Sequence, residues 1–161
     1  MLYHSRNGVT VRQPEVHDIG STGEATLFEL AYVSRAVHLM DEPALDTLLR
    51  SARHRNQELG VTGMLLYRSQ SFVQVLEGPE QNVCEVFARI REDQRHFRVR
   101  TLLERPTATR KFPNWSMGFR RLDGNNAPDG YHGFLEGEVL DLTDRAESDL
   151  VELLYVFRAQ A

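Results

Sequence analysis

Apolar and polar positions along this chain change period several times, and each change marks an element. From Leu27 to Ser34 the pattern has period two: Phe28, Leu30, Tyr32 and Ser34 fall on one side, Ala31 and Val33 on the other. That predicts a strand. Asp41 then offers an N-cap, with Glu42 and Pro43 in the first turn, and predicts a helix running to about Glu58 with Gly60 at its end. Its apolar stripe is Leu45, Leu48, Leu49, Ala52 and Leu59. At 100° per residue, Asn56 falls within about 20° of the centre of that stripe, so an amide is aimed inward.

Val61 to Tyr67 predicts a second strand, Arg68 to Ser71 a short hairpin loop, and Phe72 to Glu77 a third strand ended by Gly78-Pro79. A second helix is expected from about Glu80 to Asp93. Val83, Val86, Phe87 and Ile90 lie at i, i+3, i+4, i+7 along it. Phe97 to Leu103 predicts a fourth strand, with Phe97, Val99, Thr101 and Leu103 on one face. After the loop Pro106 to Asn114, Trp115 to Leu122 predicts a fifth, with Trp115, Met117 and Phe119 together. The order βαββαββ, with two helices over one face of a mainly antiparallel sheet, is a ferredoxin-like α+β sandwich.

The ends follow other rules. Residues 1–25 are polar and broken by Gly8, Pro14, Gly20 and Gly23, and read as an N-terminal tail. The domain is expected over 26–123. Residues 124–161 read as a Gly/Asn/Pro linker and a helix over about Asp144 to Arg158, which caps the sheet's outer face or mediates a dimer.

Composition narrows the classes. A chain of 161 residues suits one domain with short appendages. A net charge of −4 with scattered basic residues gives no reason to expect nucleic-acid binding. No apolar run approaches the roughly 20 residues of a membrane span, and the N-terminus lacks a signal-peptide layout. Cys84 stands alone, which fits a reducing, cytoplasmic compartment. The chain has no zinc-spaced Cys/His cluster, no Gly-rich phosphate loop and no Gly-x-Ser-x-Gly elbow.

What remains is a set of inward polar groups. Phe72, Gln74 and Leu76 share a strand face, so an amide interrupts an apolar row. Burying it unpaired is costly, and a glutamine offers donors and an acceptor to a polar ligand edge. Tyr32, Asn56 and the corner Asp93-Gln94-Arg95-His96 complete a pocket between the helices, floored by the sheet. The alternatives are a core tyrosine, amides satisfied by nearby backbone, and a structural histidine. An Asn and a Gln suit a flat heteroaromatic ligand with carbonyl and ring-nitrogen edges, and Arg95 suits an anionic part of it.

At these residues the chain resembles the BLUF domain family of flavin-based blue-light sensors. The matching text is Ala31-Tyr32-Val33-Ser34, then Asn56-x-x-x-Gly60-Val61-Thr62-Gly63-Met64-Leu65-Leu66-Tyr67. It continues with Phe72-Val73-Gln74-Val75-Leu76-Glu77-Gly78, Asp93-Gln94-Arg95-His96 and Arg110-Lys111-Phe112-Pro113-Asn114-Trp115-Ser116-Met117. The resemblance implies a non-covalent flavin, FAD or FMN, between the helices. It implies that Tyr32 is the photoactive tyrosine, that Gln74 links it to the flavin, and that Asn56 bonds the ring edge. Asp93, Arg95 and His96 would line the flavin, and Trp115 and Met117 would report its state outward. It further implies a sensor with no output enzyme in this chain, signalling through a separate protein or its own oligomer. The rivals are an acylphosphatase-like hydrolase and a flavin-free interaction domain on the same scaffold.

Overall fold

The structure is a computed structural model and describes residues 26–122; the expected tail, linker and terminal helix lie outside the described residues. Strand β1 (Leu27–Ala36) leads into helix α1 (Glu42–Glu58), then the hairpin of β2 (Thr62–Arg68) and β3 (Ser71–Pro79). Helix α2 (Glu80–Glu92), β4 (His96–Thr107) and β5 (Gly118–Arg121) follow. The sheet order is β4-β1-β3-β2-β5. The pairs β1–β3, β1–β4 and β2–β3 are antiparallel, and β2–β5 is parallel. This is the expected βαββαββ ferredoxin-like fold.

Local chemistry explains the elements. The Asp41 carboxylate caps α1, accepting from the Ala44 amide at 2.9 Å, with Pro43 in the first turn. Gly60, at φ +61°, ends that helix in the left-handed conformation glycine adopts without Cβ strain. The β2–β3 turn places Ser69 and Gln70 at positive φ, the twist a two-residue hairpin needs.

The two sheet faces carry separate cores. On the helix side Leu30, Tyr32, Leu65, Phe72 and Leu76 meet Leu45 and Leu49 of α1 and Val83, Val86 and Phe87 of α2. Each fully buried aliphatic side chain there contributes about 1.5–3 kcal/mol. On the outer side Ala31, Val33, Met64, Leu66, Val73 and Val75 are covered by Phe112 and Leu122. Two buried carboxylates, Glu29 and Glu77, sit opposite each other on this outer face. Arg105 and Lys111 reach Glu29, while Glu77 accepts from the Lys111 and Phe112 amides at 2.8 and 2.9 Å. The 110–115 loop is thereby pinned across the sheet.

Two expectations are corrected. The fourth strand is longer than Phe97 to Leu103 and does not keep one face. Its pairing with β1 shifts register between Ala31 and Tyr32 and again between Val33 and Arg35, and Arg98 lies at φ +54°. Each extra residue inverts the alternation, so Val99 packs on the helix side, Leu103 on the outer side, and Phe97 is exposed. The fifth strand begins at Gly118, not Trp115, and Trp115 and Met117 do not share a face. Met117 enters the helix-side core while Trp115 packs outward on Phe112, ring centroids 5.9 Å apart. The residues before Gly118 bridge two layers rather than extending a ladder.

Among the described residues no helix is long and apolar enough to cross a membrane, and no group of three or more His, Cys, Asp or Glu is placed to hold a metal.

Candidate functional site

Antiparallel register puts Tyr32 of β1 directly opposite Gln74 of β3, both on the helix-side face and both nearly fully buried. The Tyr32 hydroxyl donates to Gln74 Oε1. Gln74 Nε2 in turn donates to the Met117 thioether at 3.2 Å. The amide is therefore suspended between a strong partner and a weak one, since a thioether is a poor acceptor. The Tyr32 ring packs against Phe87 of α2, centroids 5.3 Å apart. Burial pushes the Tyr32 phenol well above its ordinary range, and the negative charge of Asp93 adds to this. The phenol thus holds its proton firmly in the ground state.

Above this pair lies a cleft that opens between α1 and α2. Tyr32, Leu65, Phe72 and Gln74 form its floor. Helix α1 contributes Leu48, Ser51, Ala52 and Arg55, and α2 contributes Arg89 and Ile90. Asp93, Arg95 and His96 close the corner. The lining is apolar at depth, with one amide and one phenol, and carries three guanidiniums against one carboxylate. That donor set fits a flat conjugated ring held deep, with an anionic chain toward the mouth.

The corner is internally ordered. Arg95 binds Asp93 through its backbone amide at 2.9 Å and through its guanidinium. The Arg95 hydrogen bond holds the Asp93 carboxyl below the usual carboxylate range, and Asp93 in turn raises the guanidinium. His96 bridges layers: Nε2 meets the Ile90 carbonyl, and Nδ1 lies 2.8 Å from Ser34 Oγ. A carbonyl only accepts, so Nε2 carries a proton. The ring thereby ties the end of α2 to β1.

The structure gathers Tyr32, Gln74, Asp93, Arg95 and His96 around one cleft. Asn56, Trp115 and Met117 are not among its lining residues. Asn56 is buried as the stripe predicted, but its Nδ2 donates to the Ser116 carbonyl at 2.8 Å. Met117 touches the site from below, through Gln74. Trp115 faces the opposite side, and a Cβ on Gly118 would come within 2.4 Å of its ring, so that glycine makes room for the indole. Sequence reasoning missed Ser51, Arg55 and Arg89. Ser51 and Arg55 lie at helical spacing beside Leu48, a signal that was legible. It also missed the Glu29–Glu77 pair, although each carboxylate ends an otherwise apolar outer row.

A sequence model of the BLUF family, described as sensors of blue-light using FAD, matches residues 27–118. The chain belongs to the BLUF family. Photoactivated adenylate cyclase subunit beta of Euglena longa is 39% identical over 100 residues, which is 62% of this chain and 12% of that protein. Subunit alpha of Euglena gracilis is 45% identical over 74 residues, 46% of this chain and 7% of that protein. The chain thus spans only a small fraction of the length of these curated relatives. Among solved structures, the BLUF protein BlrB in its dark state superposes with a TM-score of 0.70 at 35% identity, covering 85% of this chain and 98% of that one. BlsA in its ground state superposes with a TM-score of 0.66 at 27% identity, covering 81% and 88%. BLUF domains are photosensory modules, and the Tyr32–Gln74 hydrogen bond lies at the centre of this one.

Proposed function

We propose that this BLUF domain binds a flavin non-covalently in the α1–α2 cleft and senses blue light by switching the hydrogen bonds of Gln74. The observation that carries the reading is the Tyr32–Gln74 bond on the floor of a cleft whose lining suits a flavin. Phe72, Leu65 and Leu48 would hold the ring by apolar contact, and Gln74 would address its polar edge. Arg55, Arg89 and Arg95 suit the phosphate portion, which FMN and FAD both have.

When bound, the flavin supplies blue-light absorption and, once excited, a strong one-electron oxidant. Tyr32 is the nearby phenol that would supply the electron such an oxidant takes up. Its hydroxyl proton leaves along the bond to Gln74 Oε1, because an oxidised phenol is a strong acid. Once the phenol has recovered its electron and a proton, its covalent structure would be restored, while the amide would have turned in the interval when its bond from the Tyr32 hydroxyl was lost. The Gln74 amide is left in an alternative hydrogen-bonded form. A buried amide has few partners, so a changed bonding pattern is held rather than averaged away.

The switched amide acts on Met117, and the segment Trp115–Met117 carries the change outward. The receiver is a separate protein partner or a second copy of this chain, and the domain contributes sensing rather than catalysis.

An absorption spectrum of the purified protein, taken before and after a brief blue pulse and followed in the dark, tests this. The expected result is a flavin spectrum with a small reversible red shift, and extraction of the pigment then distinguishes FAD from FMN. A flavin spectrum without the shift would make this an ordinary flavoprotein. A colourless protein that fails to take up added FAD or FMN would overturn the reading.

A further inference from the structure

Three consecutive carbonyls anchor the segment before β5, the first to β2 and the next two to α1. The Trp115 carbonyl accepts from the Gly63 amide at 3.0 Å, the Ser116 carbonyl from Asn56 Nδ2 at 2.8 Å, and the Met117 carbonyl from Arg53 Nε at 2.9 Å. Arg53 and Asn56 stand about one helical turn apart, so both reach the same strip of backbone. Arg53 is exposed and is not among the residues lining the flavin cleft. The Met117 side chain turns the other way, into the helix-side core, where its sulfur accepts from Gln74 Nε2. One residue is thus gripped at both ends, by α1 at its carbonyl and by the switching amide at its thioether.

We propose that Arg53 is a positioning residue of the photoswitch: by holding the Met117 carbonyl it sets the Met117 thioether against Gln74, and makes α1 the element that feels the amide rearrange. The inference rests on the sensor reading above. The two grips differ in strength. The guanidinium bond is charge-assisted, whereas the N–H···S bond is weak and forms only if the sulfur is well placed. If light turns the amide, Oε1 replaces Nε2 beside the sulfur, and an acceptor then faces an acceptor. The thioether is released while the carbonyl stays tethered. The displacement is then passed to Arg53 and α1 rather than lost in a slack loop.

The test is the dark-recovery rate of the full-length, flavin-loaded protein after a blue pulse, in the parent, Arg53→Ala, Met117→Ala and the double variant. Arg53→Ala is expected to keep the dark flavin spectrum and the red shift, and to change the recovery rate about fivefold, the worth of one hydrogen bond. Arg53→Lys, which retains a charged donor, should return the rate to within about twofold of the parent. In the Met117→Ala background, Arg53→Ala should have no further effect, because the side chain it positions is gone. The proposal is overturned by a parental rate in Arg53→Ala, or by the same factor in both backgrounds. It is also overturned if both Arg53→Ala and Arg53→Lys lose flavin, which would make Arg53 part of the scaffold. A parent protein without flavin or without a shift would remove the sensor reading, and this proposal with it, before any variant is compared.

Discussion

Tyr32 and Gln74 are directly opposed across the β1–β3 ladder, and the hydroxyl of one donates to the amide oxygen of the other. The bond is long-range in sequence but rigid in space, because both side chains rise from the two central strands of the helix-side core. Register fixes it: a one-residue slip would send one partner to the outer face.

Tyr32→Phe keeps the ring packing on Phe87 and removes the donor. The variant is expected to bind flavin and show no reversible red shift in a light-minus-dark spectrum. An unchanged shift would take Tyr32 out of the mechanism. Gln74 Oε1 loses its partner, so thermal unfolding should show a loss of about 1–3 kcal/mol.

Gln74→Leu removes both the acceptor for Tyr32 and the donor to Met117. The red shift should disappear in a protein that still folds, as circular dichroism would show. The loss of stability should be about 1–3 kcal/mol, because the buried Tyr32 hydroxyl is left without its acceptor even though the leucine restores apolar contact. A surviving shift would mean that another group links phenol and flavin.

Asn56→Asp places a carboxylate oxygen where Nδ2 now donates to the Ser116 carbonyl. Acceptor meeting acceptor in a buried position should cost about 2–3 kcal/mol in chemical denaturation. Flavin affinity, measured separately by titration, tells whether Asn56 also meets the ring edge. An unchanged affinity would confine Asn56 to holding the 115–117 segment.

Glu77→Gln leaves one acceptor oxygen where the Lys111 and Phe112 amides now have two. The 110–115 loop should loosen, and Trp115, the chain's single tryptophan, reports it directly. Fluorescence anisotropy should fall relative to the parent, with a stability loss of about 1–2 kcal/mol. Unchanged anisotropy would show that the Arg110 and Glu29 contacts hold the loop without the Glu77 carboxylate.

Stability should respond to pH with two opposed contributions. Burial raises the Glu77 carboxyl above its ordinary value of 4.5, against the lowering effect of the Phe112 and Lys111 amides. The folded state therefore binds that proton more tightly than the unfolded one. Its contribution is fully present below the ordinary value and is lost as pH rises through the raised folded pKa. Asp93 has the opposite sign: its pKa is lowered by Arg95, so its contribution is present above 3.8 and lost as pH falls through the lower folded value. Denaturant midpoints against pH should show the acid-side loss diminished in Asp93→Asn, and the fall above 4.5 diminished in Glu77→Gln. Parallel curves for parent and variants would contradict both.

Sequence pattern alone determined the order of elements, both helix stripes, the hairpin and the inward aim of Tyr32, Asn56 and Gln74. These are local matters of period two or 3.6, punctuated by Asp41, Gly60 and Pro79, and a chain cannot satisfy them in another way without exposing its apolar rows. Tertiary structure decided what those side chains touch. That Gln74 meets both Tyr32 and Met117, and that Asn56 and Arg53 hold a segment some sixty residues away, depends on strand register and on how α1 docks. The register shifts in β4 and the separation of Trp115 from Met117 were equally hidden. A bulge adds one residue without changing composition, and a segment crossing between layers obeys its partners rather than any period.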